Sequence, residues 1–134
     1  MPTVTHIYPV FSVRDMREAL NYYGEKLGFS VRWTWGDPIS RAGVSIGQVE
    51  IQLDEPEAGV PLSISNAYCH MTDIDSYFAD CRDRGAMITS ELEARPWRMR
   101  DFRVVDPSGN VLGFGEQSRP TSDTAPADSA AVIR

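Results

Sequence analysis

The stretch "PWRMRDFRVVDPSGNVLGFGE", from Pro96 to Glu116, is typical of two β-strands joined by a tight turn. Asp106, Pro107 and Gly109 take the first, second and fourth positions of the turn, which is the preference of a type I turn. Apolar residues flank the turn on both sides, as they do in paired strands. We therefore predict a hairpin here, with Trp97 in the loop at its open end.

Upstream of the hairpin, one arrangement of elements occurs twice. The segments "VRDMREALNYYGEKLGFSV" and "MTDIDSYFADCRDRGAMI" both run from a strand end through an aspartate, an amphipathic helix and a glycine into another strand. Asp15 and Asp73 are the predicted helix N-caps, and Gly28 and Gly85 the predicted ends. The chain is therefore predicted to contain an internal repeat of a β-α-β-β-β unit.

Alternation of apolar and polar residues predicts the strands of the first unit. In "HIYPVFSV", from His6 to Val13, the core face is expected to carry Ile7, Phe11 and Val13. In "FSVRWTW" one face is expected to carry Val31, Trp33 and Trp35. The segments "RAGVSI" and "VEIQL" predict a hairpin that turns at Gly47.

The domain organisation follows from these elements. We predict a single domain over residues 1–116, made of one module at 5–53 and another at 65–116. The acidic, Pro- and Gly-rich linker between them spans 54–64. Residues 117–134 contain few large apolar side chains and are predicted to form a polar tail.

Charge and composition exclude some partners. The net charge is −6, with 13 basic against 19 acidic residues, so nucleic acid and anionic membranes are not expected partners. Neither a membrane-spanning apolar run nor a secretory signal pattern is present, which predicts a cytoplasmic protein. Cys69 and Cys81 are expected to be reduced, buried thiols.

The repeat and the hairpin together resemble the vicinal-oxygen-chelate superfamily, which includes glyoxalase I, extradiol dioxygenases and bleomycin-resistance proteins. The resemblance rests on "PVFSVRDMREALNYYGEKLGF" and the hairpin quoted above, and it covers about Thr5 to Glu116. It implies an α+β fold in which two tandem β-α-β-β-β modules curve into a mixed-sheet cup with helices outside.

Within the superfamily, the chain is most similar to bleomycin-resistance proteins. Pro9 matches their proline in the first strand, and Pro96, Trp97 and "RDF" match their "PWG-x-REF" motif. Arg98 departs from this motif, which usually has glycine there. The resemblance implies a homodimer that exchanges its first strand (a domain swap), with ligand pockets between subunits.

Metal-dependent relatives bind their ion through four positions, which the resemblance carries onto Tyr8, Glu50 or Gln52, Asn66 and Gly113. The choice between Glu50 and Gln52 stays open, and only that position offers a good oxygen ligand. Zn²⁺, Ni²⁺, Mn²⁺ or Fe²⁺ sites need histidine, cysteine or carboxylate at most positions. We therefore expect no metal, no cofactor and no enzymatic activity. The fallback metal set is His6, Glu50 and His70.

The remaining hypothesis is a cup that binds a small molecule. Gly113 is expected to leave space for the ligand, the tryptophans to supply flat apolar walls, and Glu50 to pair with a cationic group. The predicted ligand-binding residues are Trp33, Trp35, Glu50, Gln52, Asn66, Tyr68, Trp97, Arg98 and Gly113.

Three functions follow from the resemblance. The favoured hypothesis is metal-independent binding and sequestration of an aromatic or cationic drug, as in bleomycin resistance. The alternative is a divalent-metal-dependent lyase, isomerase or dioxygenase of the glyoxalase type. A third is a scaffold or regulatory module that kept the fold without a ligand.

Overall fold

The computed structural model describes residues 1–118. Its strands and helices alternate as the repeat predicts, with a π-helical turn extending the first helix. The elements in chain order are β1 (Val10–Ser12), α1 (Met16–Asn21), the π-helical turn (Tyr22–Lys26), β2 (Ser30–Trp35), β3 (Arg41–Ile46), β4 (Val49–Asp54), β5 (Asn66–His70), α2 (Ile74–Asp83), β6 (Ile88–Ala94), β7 (Met99–Val105) and β8 (Val111–Gln117).

The strands form two four-stranded mixed sheets, one per module. Sheet one has the order β1-β4-β3-β2 and sheet two the order β5-β8-β7-β6. In each sheet the first strand of the module pairs in parallel with the last, and the other pairs are antiparallel. This arrangement confirms the predicted α+β class and the tandem β-α-β-β-β modules.

The helices begin and end where the sequence indicates. A side-chain oxygen of Asp15 accepts a hydrogen bond from the Glu18 N–H at 3.1 Å, which satisfies a free donor of the first turn of α1. Asp73 precedes α2 and accepts a hydrogen bond from the Ser76 hydroxyl at 3.1 Å. Gly85, just after α2, has a φ of 85°, a left-handed conformation in which glycine is favoured.

One apolar core joins the two modules. It receives the inward faces of both sheets and of both helices, and its aromatic centre includes Tyr23, Phe11 and Phe102. At the module boundary the Tyr23 hydroxyl donates to Oδ2 of Asp106 at 2.8 Å, and both residues are buried. Nδ2 of Asn110 donates to the Ser12 carbonyl at 2.8 Å, which ties the second hairpin to β1.

The predicted hairpin at Asp106 is confirmed. The Gly109 N–H donates to the Asp106 carbonyl at 3.0 Å, and β7 and β8 pair in register from Val105 with Val111 onward. The strand β8 runs to Gln117, the first residue of the predicted tail. Residues 119–134 of that tail lie outside the described part of the chain.

Two strand predictions are wrong. The first strand begins at Val10 rather than at His6, and Ile7, expected in the core, is 92% exposed. In β2 a bulge between Val31 and Trp33 places Val31 opposite Val44 and Trp33 opposite Gly43. The extra residue in the bulge reverses the alternation, so Val31 does not share a face with Trp33.

Candidate functional site

The predicted ligand-binding residues lie on the two sheets, mostly on the faces turned away from the core, and they form two separate sets. Sheet one carries Trp33, Trp35, Glu50 and Gln52. Sheet two carries Asn66, Tyr68 and Gly113, with Trp97 and Arg98 in the turn before β7. Within residues 1–118, no hydrogen bond or salt bridge connects one set with the other. The cup expected from these residues is therefore divided into two halves within one chain.

Trp33 on sheet one is held in a fixed position by its neighbours. Its indole N–H donates to Oε2 of Glu50 at 3.0 Å. Trp33 lies on the edge strand β2, and its ring extends across Gly43 of β3 to reach Glu50 of β4. A Cβ at Gly43 would overlap the indole nitrogen and lie 2.8 Å from the Glu50 carboxylate. Glycine is therefore required for this ring to lie against the sheet.

A shallow depression opens beside the Trp33 ring. It measures about 450 Å³ and is lined by Trp33, Thr34, Trp35, Arg41 and Gln52. Trp35 is 67% exposed, so much of its ring is available to a ligand. The Arg41 guanidinium donates to Oε1 of Gln52 at 3.3 Å, which orients the amide at the floor. The depression combines aromatic surface with a few oriented polar groups, as small-molecule sites do.

On sheet two, Tyr68 is held in the same way as Trp33: its ring lies across a glycine and its polar atom is hydrogen-bonded to an acid. Tyr68 starts from the edge strand β5, which is equivalent to β1 and not to β2. The ring crosses β8 to reach Asp101 on the third strand, and its hydroxyl donates to Oδ2 at 2.9 Å. A Cβ at Gly113 would lie 2.8 Å from the ring carbon Cδ1, and one at Gly115 would overlap the hydroxyl. The space expected at Gly113 for a ligand is therefore occupied by Tyr68.

The acid that anchors Tyr68 is itself fixed by an ion pair. Asp101 is 2% exposed, and its Oδ1 accepts from Nε of Arg95 at 2.6 Å. A second nitrogen of Arg95 donates to the Ser90 hydroxyl at 2.9 Å. Burial, the hydrogen bond to Asp101 and the charge of Asp101 together raise the pKa of Tyr68 to about 12. Tyr68 is therefore a neutral donor at physiological pH.

Four residues of the site were not predicted from the sequence: Gly43, Arg41, Asp101 and Arg95. Alternation carried a usable signal for Asp101, since Phe102 and Val104 on the same strand point to the core and Asp101 must point away. Gly43 lies between Ala42 and Val44, both buried, and the same argument places it on the outer face. Neither pattern identifies the aromatic ring that covers the glycine.

Trp97 and Arg98 lie in the turn between β6 and β7. Trp97 is 55% exposed. Arg98 has a φ of 66°, in the left-handed region that glycine adopts without strain. This conformation gives a physical reason for the glycine that the resembling motif usually has at this position.

Both cysteines belong to the apolar core. Cys69 and Cys81 are both free and buried, as predicted. Burial is the leading cause that raises the pKa of each thiol. Since the thiolate is the nucleophile, neither cysteine is suited to nucleophilic catalysis.

The positions that bind metal in related enzymes do not fit a divalent ion here. Of the positions that the resemblance assigns, Tyr8 lies before β1 and Glu50 accepts the Trp33 N–H. Gln52, Asn66 and Gly113 lie opposite Val10, Val111 and Tyr68 in the sheets. The assigned positions therefore supply two weak amide ligands, one phenol and a carboxylate that is already hydrogen-bonded to Trp33.

The fallback metal set is not assembled either. His6 stacks on Tyr8 at a centroid distance of 5.9 Å, in the segment before β1, whereas the His70 ring contacts Tyr68 at 5.4 Å on sheet two. No group of three or more His, Cys, Asp or Glu side chains within residues 1–118 is arranged to bind a metal ion.

Among the described residues, no helix is long and apolar enough to cross a membrane.

Two tandem β-α-β-β-β modules, each with a four-stranded mixed sheet, are the architecture that the resemblance implies. The chain belongs to the glyoxalase/bleomycin resistance protein/dioxygenase superfamily, whose family model matches residues 4–114. This confirms the resemblance drawn from the repeat and the hairpin. The superfamily contains both enzymes and binding proteins, so membership alone does not decide between them. No curated protein matches the chain in sequence.

Solved structures share the fold at low sequence identity. TioX from Micromonospora sp. ML1 is 18% identical, with a TM-score of 0.74 over 85% of this chain and 99% of its own. A glyoxalase-related enzyme from Clostridium phytofermentans is 20% identical, with a TM-score of 0.72 over 87% and 97%. TnmS3, an antibiotic binding protein from Streptomyces sp. CB03234, is 24% identical, with a TM-score of 0.69 over 88% and 100%.

Proposed function

We propose that this protein binds a small molecule with a planar aromatic group, which stacks on Trp33 and Trp35, and that binding requires neither metal nor catalysis. The observation that carries the proposal is the Trp33 ring, held across Gly43 by its hydrogen bond to Glu50. A tryptophan fixed against a bare backbone presents one flat face outward, beside the depression of about 450 Å³.

Fixing the ring before a ligand arrives favours binding. A mobile side chain loses rotamer freedom when it contacts a ligand, at a cost of about 0.5–1.5 kcal/mol for each rotamer-rich side chain. The Glu50 hydrogen bond and the close approach of Gly43 restrict Trp33 in the free protein already. Rigid aromatic anchors of this kind contribute large contact areas at low entropic cost.

The structure changes the role that we assign to Glu50. Its Oε2 accepts the indole N–H of Trp33, so Glu50 acts in the proposed site by orienting the ring rather than by pairing with a cationic ligand. The charged side chain that lines the depression is Arg41. An aromatic ligand is therefore favoured over a merely cationic one.

Binding without catalysis is supported by the residues at the metal-binding positions of the superfamily. The resemblance places those positions at Tyr8, Glu50 or Gln52, Asn66 and Gly113, which offer at most one carboxylate, and the Glu50 carboxylate already accepts the Trp33 N–H. TnmS3 shares this fold and is described as an antibiotic binding protein. Sequestration of a drug-like aromatic molecule is the form of binding that we propose here, in place of the metal-dependent alternative.

We further propose that two copies of the chain associate through the segment before β1. Residues 1–8 belong to no strand, yet Val4 is 93% and Ile7 92% exposed, and their apolar side chains gain by burial. A second copy carries the same two sets of predicted ligand-binding residues, one on each sheet. Exchange of the segment before β1 between two copies would bring sheet one of one chain towards sheet two of the other. Light scattering tests this on the full chain, on a variant lacking residues 1–8 and on Ile7→Asp.

A dimer that becomes a monomer in both variants supports the exchange. A dimer that persists in both, or a monomeric full chain, contradicts it. The shortened variant removes no residue of the core, since the core begins at Phe11.

Binding itself is tested by thermal denaturation with neutral planar probes, naphthylmethanol and phenazine, in the presence and absence of a metal chelator. A ligand that binds only the folded state raises the melting temperature as its concentration increases. We expect a rise that the chelator does not change. A rise that requires added Zn²⁺, Ni²⁺ or Mn²⁺ would support the metal-dependent alternative instead.

A further inference from the structure

The outer face of sheet two combines an aromatic ring with a positive charge. Arg103, Gly113 and Tyr68 lie side by side on three adjacent strands, with Gly113 opposite both of the others. A Cβ at Gly113 would lie 2.8 Å from Cδ1 of Tyr68 and 3.8 Å from Cγ of Arg103. The Tyr68 ring and the Arg103 side chain therefore meet above this glycine, and Tyr68 is 41% exposed.

Most charged side chains on this face of sheet two are paired with one another, whereas Arg103 is not. Asp101 is engaged at both oxygens, by Arg95 at 2.6 Å and by Tyr68 at 2.9 Å. Glu93 lies 3.5 Å from a second nitrogen of Arg95. Arg103, by contrast, is exposed and makes no salt bridge or side-chain hydrogen bond with any residue of the described chain. Its guanidinium is the charge on this face that remains available to a ligand.

We propose that the Tyr68 ring and the Arg103 guanidinium form a subsite for an aromatic group that carries an acid, such as an aromatic carboxylate or an acidic phenol. The inference rests on the proposed function and on the proposed association of two copies, which brings sheet two of one chain towards sheet one of the other, and it adds the charge and the second contact surface of the ligand. The aromatic ring stacks on Tyr68, and the acid group accepts hydrogen bonds from Arg103.

The chemistry of both side chains favours this ligand class. A guanidinium presents paired N–H donors that match the two oxygens of a carboxylate. The Tyr68 hydroxyl is already committed to Asp101, so the ring is held flat and its exposed face is the part left for binding. A cationic aromatic ligand would be repelled by the positive charge of Arg103 in this subsite.

The test measures dissociation constants of three naphthalene probes that differ in charge: naphthoate, neutral naphthylmethanol and cationic naphthylmethylammonium. The proteins are the wild type, Arg103→Gln, Arg103→Lys and the matched control Arg100→Gln. Arg100 lies on the same strand, but its guanidinium pairs with Asp75 of α2 on the helix-covered side. Arg100→Gln therefore removes the same charge from β7 without changing the proposed subsite.

We expect the wild type and Arg100→Gln to bind naphthoate about fivefold more tightly than naphthylmethanol, which is the scale of one exposed ion pair. Arg103→Gln is expected to lose this preference and to keep its affinity for naphthylmethanol, whereas Arg103→Lys retains part of it. Equal binding of the probes by the wild type, or a preference that survives Arg103→Gln, overturns the inference and leaves the proposed function standing. If the wild type binds none of the probes, both fail.

Discussion

The indole N–H of Trp33 donates to Oε2 of Glu50 at 3.0 Å, and between the two strands that carry these residues the ring passes over Gly43. Tyr68 repeats the relationship on sheet two, where it crosses Gly113 and reaches Asp101. The two aromatic residues start from different strands of their modules, β2 and β5. The two rings therefore do not occupy equivalent positions of the repeat, although both sheets present a ring that is held in place.

The first prediction concerns the glycine beneath Trp33. Gly43→Ala is expected to displace the ring, because the added methyl overlaps the indole nitrogen. The tryptophan emission should shift to longer wavelength as the ring enters water, and affinity for naphthylmethanol should fall by about 1 kcal/mol or more, the scale of a lost aromatic anchor.

The matched control for Gly43→Ala is Gly24→Ala. At Gly24 an added Cβ meets only the Phe29 carbonyl oxygen, at an ordinary contact distance of 3.8 Å. Emission and affinity should then remain those of the wild type. Equal behaviour of the two variants would show that the Trp33 ring does not depend on Gly43.

The second prediction concerns the contact that joins the modules. Tyr23→Phe removes the hydroxyl that donates to the buried Asp106 at 2.8 Å. A hydrogen bond to a charged group contributes about 1.5–3 kcal/mol, so the free energy of unfolding in urea should fall by about 2 kcal/mol. Tyr8→Phe is the control, since Tyr8 is 40% exposed and should change stability little. Similar losses in both variants would contradict the role of the Tyr23 contact.

The third prediction concerns pH. Burial and Asp101 raise the pKa of Tyr68 from 10.0 to about 12, so the folded state holds this proton more tightly than the unfolded state does. The stability that results is fully present below pH 10.0 and is lost as the pH rises through about 12. Phenolate absorbance after rapid pH jumps should contain a component near pH 12 that Tyr68→Phe lacks. In Asp101→Asn that component should move to lower pH, and an unmoved component would contradict the assignment.

The fourth prediction concerns the strained turn before β7. Arg98 adopts a φ of 66°, in the left-handed region. This conformation is strained for any residue that has a Cβ atom, and the strain lowers the stability of the folded state. Glycine has no Cβ atom and adopts the conformation without strain. Arg98→Gly is expected to raise the free energy of unfolding by up to about 1 kcal/mol, since the greater freedom of glycine in the unfolded chain offsets part of the gain. Arg98→Asn should be neutral or slightly stabilising, and Arg98→Val destabilising. A melting-temperature series that places valine above glycine would contradict this account.

Much of the fold was predictable because its signals are local. Asp15 and Asp73 precede helices, Gly28 and Gly85 follow them, and the Asp106 turn closes a hairpin, all through interactions with near neighbours in sequence. The segment before β1 was predicted as strand because its alternation is correct, but in a single chain it has no neighbouring strand to pair with. Alternation reports which face a residue prefers, and not whether a partner strand is present.

The candidate site was less predictable because its contacts link strands that are distant in sequence. The tryptophans, Glu50 and Tyr68 were all selected as site residues, but their partners depend on strand register and ring direction. The bulge after Val31 shifts Trp33 onto the face of Gly43, and no propensity at Arg32 indicates that shift. Asp101 was missed because its role arises only once Arg95 and Tyr68 converge on it.

The most direct test of the central claim is the dissociation constant of naphthylmethanol, in the presence of a metal chelator, for the wild type, Trp33→Leu and Trp97→Leu. Trp97 is an exposed tryptophan of the other module and so provides a matched loss of aromatic surface. We expect Trp33→Leu to weaken binding by more than about fivefold, equivalent to about 1 kcal/mol. An unchanged constant in Trp33→Leu, or a loss confined to Trp97→Leu, would contradict the claim that Trp33 carries the binding function.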